Sequence, residues 1–559
     1  MSEQLNRWCK RKKSRAIIYL LPQMIFLIWL IGIKHIYYAT CDDTVIHAMV
    51  SGGYGEPTQY LCVVSPIFGY IMKSLFQVFP IANWLGITYM ILMILGFLLI
   101  DLVFIEQETE FIRTVILSFI LLIGTFFVWT YFTFTVVSYV CAMGGLFWCM
   151  AIIKKEQRIT TWKALPGWIL ISFGILIRTT AIYSLIIVIG FWALYEMLSN
   201  KKWRLLFLCI LILGEVKIVG VVNGVLNEQS EIQSDYIAWN SARSFLGDYL
   251  TQEEMVGTGF FSETDAEAFF NAFLWDKELF SMENMKQAAV GEKQNLRMDN
   301  VKHIYMEFEN MFHDVTAWDD YQCFYFIWFW AICIFEFLRQ RETRKQIVAI
   351  ASGALATSFL FFILGRMVYR VLMPGYVFAV ICILAMSLEY SKSEKRTEVA
   401  YMAVMGVITA FMLRAYGNYQ LVYDQLYMVS NERVLAYLEE NSDKLYLPCD
   451  SNAYSIEMAK DVLQYDGKEY ISNLIGNWNI YSESYYELMS AYDIKNPDCL
   501  VLDIADSDTI RLVMLNGEIP DYVIDFIEER TGQKVETHLE KKITDTGYGD
   551  WYFYSVIVR

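Results

Sequence analysis

The chain reads YYATCDDTVIH from Tyr37 to His47, directly after its first long apolar segment. Two adjacent carboxylates, Asp42 and Asp43, therefore stand at the end of that segment. An acidic pair in this position suits a helix cap or a hydrated loop, and it also suits a general base at a membrane surface. The sequence on either side of the pair bears on the choice.

The residues after the acidic pair predict a turn and then a surface helix. Residues 52–55 read GGYG, which is typical of a tight turn. The stretch 66–79 is apolar but is interrupted by Lys73 and Gln77. This pattern favours a helix that lies in the membrane interface over one that crosses the bilayer.

The composition indicates an integral membrane protein. Of 559 residues, 56% are hydrophobic and 16% are aromatic, and the mean hydropathy is +0.34. The net charge of −16 comes mainly from two long hydrophilic stretches, which argues against nucleic acid as a partner. Most of the 11 cysteines lie in apolar segments, and only Cys41 with Cys62 and Cys449 with Cys499 are placed to pair outside the membrane.

Windows of about 20 apolar residues predict about eleven transmembrane helices. The predicted spans are 16–38, 82–104, 113–130, 135–153, 166–178, 180–198, 204–222, 322–338, 346–364, 371–390 and 399–415. With this count the basic loops fall on one side, so the positive-inside rule predicts a cytoplasmic N-terminus and an extracytoplasmic C-terminus. We expect a multi-pass protein of the cell membrane, surrounded by membrane lipids.

The predicted topology divides the chain into two domains. Residues 1–415 form a transmembrane domain with external loops at 39–81 and 223–320, and residues 416–559 form a small extracytoplasmic α/β domain. Periodicity and turn signals place shorter elements within the loop and the tail. Helices are expected at 263–274, 301–312, 431–440 and 455–464, strands at 444–449 and 499–504, and a hairpin that pairs 535–539 with 551–558.

Charged residues within predicted spans are candidates for function, because each costs roughly 2.5–3.5 kcal/mol on insertion scales. Glu215 and Lys217 are two residues apart, so they lie on different faces of a helix and do not simply neutralise each other. Two interpretations stay open. Either one of these side chains lines an aqueous cavity, or both are packed within the protein or extend to the membrane interface. Arg178 lies between two short spans near the predicted outer face, against the positive-inside trend.

The loop after the ninth predicted span carries a second basic group. Arg366 and Arg370 are four residues apart and share a helical face, with Tyr369 beside them and Pro374 expected to break the following helix. Arginine binds two phosphate oxygens at once and stays charged when partly desolvated. The loop therefore suits either a phosphate site or a contact that fixes topology at lipid headgroups.

Together these features resemble the GT-C superfamily of polytopic glycosyltransferases, which take a sugar from a polyprenyl-phosphate or polyprenyl-diphosphate donor outside the cytoplasm. Members carry an acidic pair after the first span, interface helices in the first external loop and a long loop after the seventh span. Residues 42–43, 66–79 and 223–320 are similar to these parts. The sequence 369–374 is similar to an Arg-Tyr-x-x-Pro-like motif, with order and spacing altered, and the whole resemblance covers roughly 1–415.

The resemblance implies an enzyme of the bacterial cell envelope. This enzyme would transfer a sugar with inversion to an extracytoplasmic glycan, lipid or protein. It implies Asp42 as the general base, with Asp43 orienting the acceptor or holding a weak metal ion. The lipid phosphate would be stabilised by Arg178, Arg366 or Arg370, and Tyr369 belongs to the same candidate site. His47, one turn beyond Asp43, is expected to hydrogen-bond it or to be an ordinary surface histidine.

One departure from the family concerns metal. Metal-dependent members carry a second acidic motif between spans three and four, whereas residues 129–135 read WTYFTFT, without a carboxylate. A hard cation needs several charged oxygens, so a tightly held ion is not expected. A weakly bound Mg²⁺ or Mn²⁺ ion is still compatible with the sequence.

Two other classes of protein compete with the enzyme. A lipid-linked oligosaccharide flippase or other transporter would distribute charged residues through its core, and a non-catalytic envelope assembly protein would use the C-terminal domain to bind its partner. Trp478, Tyr481, Tyr485 and Tyr486 in that domain suit stacking on sugar rings, although a chain with 37 tyrosines places many by chance.

Overall fold

A computed structural model describes the protein except residues 1, 35, 157–160, 294–323, 364–368, 389–394, 424–431, 451–461, 464–472, 477–478, 506 and 547–548. The chain forms two compact units. The helical unit comprises Met1–Ile36, Leu85–Val222 and Ile304–Gln420, and the mixed unit comprises Tyr37–Trp84, Asn223–His303 and Leu421–Arg559. This division differs from the predicted domains, because both predicted external loops belong with the C-terminal segment.

Helices account for nearly all the described chain before residue 424. They are α1 (Ser2–Cys9), α2 (Lys12–Trp29), α3 (Cys41–Ser51), α4 (Pro66–Val78), α5 (Trp84–Glu106), α6 (Phe111–Trp129), α7 (Phe134–Glu156), α8 (Leu165–Ile177), α9 (Thr179–Asn200), α10 (Arg204–Asn227), α11 (Glu231–Tyr249), α12 (Gln252–Gly257), α13 (Glu263–Phe270), α14 (Met282–Lys293), α15 (Phe324–Arg339), α16 (Arg344–Ile363), α17 (Tyr369–Ser387) and α18 (Lys395–Tyr423). Helix α2 continues as a π-helical turn, Leu30–Lys34.

Several of these helices are long and apolar enough to cross a membrane. Within the described residues there are eight: Lys12–Ile33, Trp84–Glu106, Phe111–Trp129, Phe134–Glu156, Thr179–Asn200, Arg204–Asn227, Tyr369–Met386 and Glu398–Asn418. They support a membrane protein with several spans. The predicted count of about eleven also needs the shorter helix α8 and helices α15 and α16, and it stays a prediction.

Helix α7 is the most buried of the eight, with 83% of its apolar window inside the protein. Small residues allow its close approach to α5. A Cβ added at Gly144 of α7 would lie 2.5 Å from the carbonyl oxygen of Gly96 on α5. Close backbone contact between small residues is a common way for membrane helices to pack, because the lipid offers no hydrophobic gain for their association.

Four buried charged residues connect α6, α15 and α18. Arg113 donates to Glu336 at 2.6 Å and lies 3.7 Å from Glu398. Arg339 reaches the same two carboxylates at 3.3 and 3.4 Å. Two positive and two negative charges therefore cancel in a buried site, which offsets part of their desolvation cost.

The mixed unit contains a four-stranded sheet. Its strands are β1 (Leu445–Pro448), β2 (Ile510–Leu515), β3 (Val535–Thr546) and β4 (Gly549–Val558), in the order β1-β2-β4-β3. Strands β1 and β2 are parallel, while β4 is antiparallel to β2 and β3. Tyr446, Val513, Trp551 and Phe553 form much of the core. Three further helices belong here: α19 (Glu432–Glu440), α20 (Glu483–Ala491) and α22 (Asp521–Thr531), with a single turn α21 (Val501–Ile504) between the last two.

Most predicted elements of the C-terminal segment are confirmed where the structure describes them. Helix α19, strand β1 and the β3–β4 hairpin match their predictions. The predicted strand at 499–504 is wrong, because Pro497–Cys499 forms a 3-10 turn that leads into α21. Leu500, Val501 and Ile504 are buried at helical spacing, and a short apolar run cannot separate strand from helix by periodicity. The predicted helix at 301–312, and most of the one at 455–464, fall outside the described residues.

The second predicted loop is helical because its polar residues cap short helices. Thr251 and Glu254 form a capping box at α12, and Ser262 and Asp265 form another at α13. Each box satisfies two backbone N–H groups that a helix start would otherwise leave unpaired. Helix α13 confirms the periodicity read at 263–274.

Candidate functional site

The acidic pair lies in the first turn of α3, and its two members have different surroundings. Asp43 is completely buried, and its carboxylate accepts a hydrogen bond of 2.7 Å from the Thr40 hydroxyl. The neighbouring Asp42 is half-buried. A carboxylate in the first helical turn is favoured by the helix dipole. Asp43 is therefore fixed in place, and Asp42 is the carboxylate that a substrate can reach.

A turn and a capped helix follow α3, as the sequence predicts. Gly52 ends α3 with φ +92°, and a Cβ there would lie 2.9 Å from the Gly55 carbonyl oxygen. Ser65 then caps α4, accepting a hydrogen bond from the N–H of Ile67 at 3.3 Å. The predicted helix at 66–79 is confirmed as α4, while its position in the interface stays a prediction.

His47 is buried where α3 meets α4. Its ring stacks on Phe76 with 5.5 Å between centroids and meets Tyr38 edge-on at 6.5 Å. The side chain is only 4% exposed, so the expectation of a surface histidine is wrong. In this structure His47 packs α4 against α3, next to the acidic pair.

The charge of Asp42 acts on two other side chains, Cys62 and Tyr236 of α11. Burial is the main cause that raises the pKa of the Cys62 thiol to about 11; the charge of Asp42 raises it further, while Tyr236 and the charge of Arg243 oppose the shift. The pKa of Tyr236 is likewise raised, chiefly by burial, with the same two charges acting in opposite directions. One negative and one positive group thus act on both the half-buried Cys62 and the buried Tyr236.

Hydrogen bonds order this group. Asn240 donates to the Cys62 sulfur at 2.6 Å and accepts from Nε of Arg243 at 2.9 Å. Tyr236 is 1% exposed, whereas Arg243 is half-buried. We call Asp42, Cys62, Tyr236, Asn240 and Arg243 the Asp42–Arg243 cluster.

The α11 residues of this cluster were not among the sequence candidates. Tyr236, Asn240 and Arg243 are spaced by four and three residues, so they share one face of a helix. Arg243 is also the one Lys or Arg between Lys217 and Lys277 in the sequence. The sequence signal for this cluster was therefore Arg243, a single basic residue in an acidic loop, at helical spacing from Tyr236 and Asn240.

Arg178 is held by the first turn of α7. Its Nη1 donates to the Thr135 hydroxyl at 2.6 Å, and its guanidinium lies 4.9 Å from the centre of the Phe134 ring. The backbone is extended at φ −153°, so the chain breaks between α8 and α9 at this residue, as predicted for the fifth and sixth spans. The guanidinium has a defined orientation in the helical unit.

Tyr369 and Arg370 open α17, and both are half-buried. The Tyr369 ring meets Tyr131 edge-on at 5.5 Å, so Tyr369 contacts the connection between α6 and α7, whereas Arg178 contacts the first turn of α7. Helix α17 continues through Pro374, so the predicted break is wrong. A proline near the helix start removes only one backbone hydrogen bond. Arg366 lies outside the described residues.

Glu215 and Lys217 do differ in environment on α10. Glu215 accepts a hydrogen bond from the hydroxyl of Ser172 on α8. Lys217 is exposed, beside the exposed apolar side chain of Ile218. The different faces predicted for this pair are confirmed, and a substrate contact of Lys217 stays a prediction.

The cysteines and tail aromatics have structural roles. Neither predicted disulfide, Cys41 with Cys62 or Cys449 with Cys499, is formed. Tyr481 and Tyr485 are buried, and their hydroxyls donate to the carbonyl oxygens of residues 274 and 497, each at 2.6 Å. Buried rings cannot stack on a sugar. Trp478 lies outside the described residues.

Among the residues that the structure describes, the acidic pair meets no third side chain with which it could hold a metal ion. Across the described ranges, no three His, Cys, Asp or Glu side chains converge into a group that could hold an ion. Asp43 is engaged by Thr40, which leaves Asp42 as one accessible carboxylate. A hard cation prefers several oxygens, so the residues present fit tight metal binding poorly.

Similarity to known proteins assigns no function. The chain matches no protein-family model, no curated protein and no solved structure.

Proposed function

We propose that this protein is an integral membrane glycosyltransferase that moves a sugar from a polyprenyl-phosphate-linked or polyprenyl-diphosphate-linked donor to an extracytoplasmic acceptor, with inversion. The observation that carries the proposal is the Asp42–Asp43 pair, at the start of a helix that follows the first long apolar helix. One carboxylate is fixed and the other is accessible. This division suits a general base with a rigid neighbour.

The reaction assigns the proton to Asp42. The acceptor hydroxyl attacks the anomeric carbon, the bond from that carbon to the donor phosphate oxygen breaks, and the electron pair leaves with the lipid phosphate. The hydroxyl proton passes to the Asp42 carboxylate as the new bond forms. Asp43, held by Thr40, keeps the turn that presents Asp42 in one conformation.

Guanidinium groups are suited to the leaving phosphate. Charge develops on its oxygens during bond breaking, and a fixed cation in a site of low dielectric stabilises that charge without reorganising. By the resemblance to the GT-C superfamily, this role belongs to Arg178 and Arg370, with Arg366 and Tyr369 beside Arg370 in the sequence. Within the mixed unit, Arg243 supplies a cation to the group around Asp42.

The apolar surface of α4 supports a lipid-linked donor. A cavity of about 430 Å³ lies between this helix and the end of α10, with Tyr70, Ile71 and Leu226 in its lining. Tyr70 is 65% exposed and Ile71 is 37% exposed. A largely apolar groove of this kind fits the isoprenoid part of such a substrate.

The direct test is Asp42→Asn, which keeps the size of the side chain and removes the base. The protein is reconstituted in nanodiscs with membrane extract as the source of acceptors, and radiolabelled polyprenyl-phosphate sugars are supplied as a panel. We expect sugar transfer to fall by about 10²–10⁴-fold, the usual contribution of a general base. Asp235→Asn, which changes an exposed carboxylate on α11, should leave transfer unchanged.

Equal thermal stability and expression of the two variants would show that the loss is chemical. Wild-type transfer by Asp42→Asn would overturn Asp42 as the base. A separate assay uses the unmodified protein in proteoliposomes. If it transports lipid-linked sugar across the membrane but transfers none, the result would instead favour a flippase.

A further inference from the structure

A second site lies at the other end of the helical unit from the Arg178 and Tyr369 segment. The ends of α7 and α9 and the start of α10 surround a half-open cavity of about 510 Å³. Helices α16 and α17 complete its wall. The proposed sugar transfer uses none of these residues.

The cavity concentrates positive charge. Lys154, Lys201, Lys202 and Arg204 all line it, and all four side chains are exposed. Glu196 is the acidic residue of the lining, so the formal charge is four minus one, or +3. Glu196 already accepts hydrogen bonds from Gln346 at 2.8 Å and Asn200 at 3.0 Å.

Apart from Thr343 and Gln346, the rest of the lining is apolar. It includes methionine, isoleucine, leucine and tryptophan side chains. Trp203, in the connection between α9 and α10, is 62% exposed. Tryptophan and basic residues at a helix end are typical of the level of lipid headgroups, where the ring is amphipathic and the cation meets phosphate.

We propose that this cavity binds the headgroup of an anionic phospholipid. The cations would contact the phosphate oxygens, and the acyl chains would follow the apolar lining toward the exposed outer face of α10, whose span is only 22% buried. A basic pocket between membrane helices on the predicted cytoplasmic side is suited to anionic headgroups, which are enriched in that leaflet. The proposal depends on membrane insertion and not on glycosyltransferase activity.

The test measures binding of short-chain dihexanoyl phosphatidylglycerol to the detergent-purified protein by calorimetry. Dihexanoyl phosphatidylcholine and inorganic phosphate serve as separate ligands. We expect phosphatidylglycerol to bind most tightly. The double substitution Lys202→Gln with Arg204→Gln should weaken its binding on the order of 25-fold, since each cation near a headgroup contributes about five-fold.

Two further variants make the test specific. Lys155→Gln with Lys163→Gln removes two exposed lysines at the connection of α7 and α8 that do not line the cavity, and it should change affinity by less than about two-fold. Glu196→Gln removes the one negative charge of the lining and should tighten binding. Equal affinity for phosphatidylcholine, inorganic phosphate as tight as phosphatidylglycerol, or an equal loss in both double variants would each overturn the proposal.

Discussion

At the scale of single residues, neighbouring side chains of the same type have different roles. Asp43 is buried against Thr40, while Asp42 is half-buried and acts on Cys62 and Tyr236 across to α11. The sequence shows only two adjacent carboxylates. Their difference comes from which one points into the packed interior of the mixed unit.

The Cys62 thiol reports on this arrangement without any enzyme assay. With its pKa raised to about 11, the thiol is protonated at pH 8 and should be alkylated slowly. Because the charge of Asp42 raises this pKa and that of Arg243 lowers it, Asp42→Asn should speed alkylation of Cys62 and Arg243→Gln should slow it. Mass spectrometry of the peptide that contains Cys62 measures both rates.

The same shift gives a pH dependence of stability. The folded pKa of Cys62 lies above the ordinary thiol value of 9.0, so the unfolded chain loses this proton first as the pH rises. The contribution of the protonated Cys62 thiol to the free energy of unfolding is therefore complete below pH 9 and declines between pH 9 and about 11. In the alkylation experiment, a rate of Cys62 alkylation that changes in the same direction in Asp42→Asn and Arg243→Gln would show that the two charges do not act on this thiol in opposite directions.

At the scale of elements, the helical unit depends on close backbone contact between α5 and α7. Gly144→Ala would place a methyl group 2.5 Å from the Gly96 carbonyl oxygen. The two helices must then separate, and overpacking of this kind costs typically about 1–3 kcal/mol. We expect a lower midpoint of thermal unfolding in detergent.

Gly190→Ala on α9 is the matched control. No atom lies within 4 Å of a Cβ built at Gly190, so this substitution creates no overlap. Alanine also favours helix over glycine by about 1 kcal/mol, so the midpoint should stay equal or rise. A stable Gly144→Ala protein would show that α5 and α7 can move apart at no cost.

At the scale of the whole molecule, the mixed unit is built from three separate stretches of chain. Helix α20 contributes to this assembly through its carboxylates. Glu487 accepts a hydrogen bond of 2.9 Å from the backbone N–H of Glu56, and Glu483 accepts from the hydroxyls of Thr58 and Ser230. One C-terminal helix thus holds the turn after α3 and the start of α11.

Removing one of these contacts should loosen the first stretch. In Glu487→Ala the Glu56 N–H loses its acceptor, so we expect faster hydrogen exchange in peptides that cover residues 52–60. Glu439→Ala changes an exposed carboxylate of α19 and should leave that exchange unchanged. Exchange in 52–60 that is already complete in the unmodified protein would show that Glu487 does not protect it.

Local pattern alone determined the long apolar helices, helix α4, the break at Arg178 and the β3–β4 hairpin. Each depends on periodicity, composition or turn residues within about 20 neighbours, and such signals are visible without the fold. The run at 499–504 was assigned wrongly for the same reason, since a short apolar stretch suits a strand and a helix equally.

Only the tertiary structure decided which distant stretches pack together. It joined residues 37–84 and 223–303 to the C-terminal segment, brought the charge of Asp42 close enough to act on Cys62 and on Tyr236 of α11, and gathered the basic cavity from five helices. The physical reason is that these contacts join residues far apart in the chain. Their free energy comes from burial and hydrogen bonds that form only when the whole unit is assembled, so no local pattern encodes them.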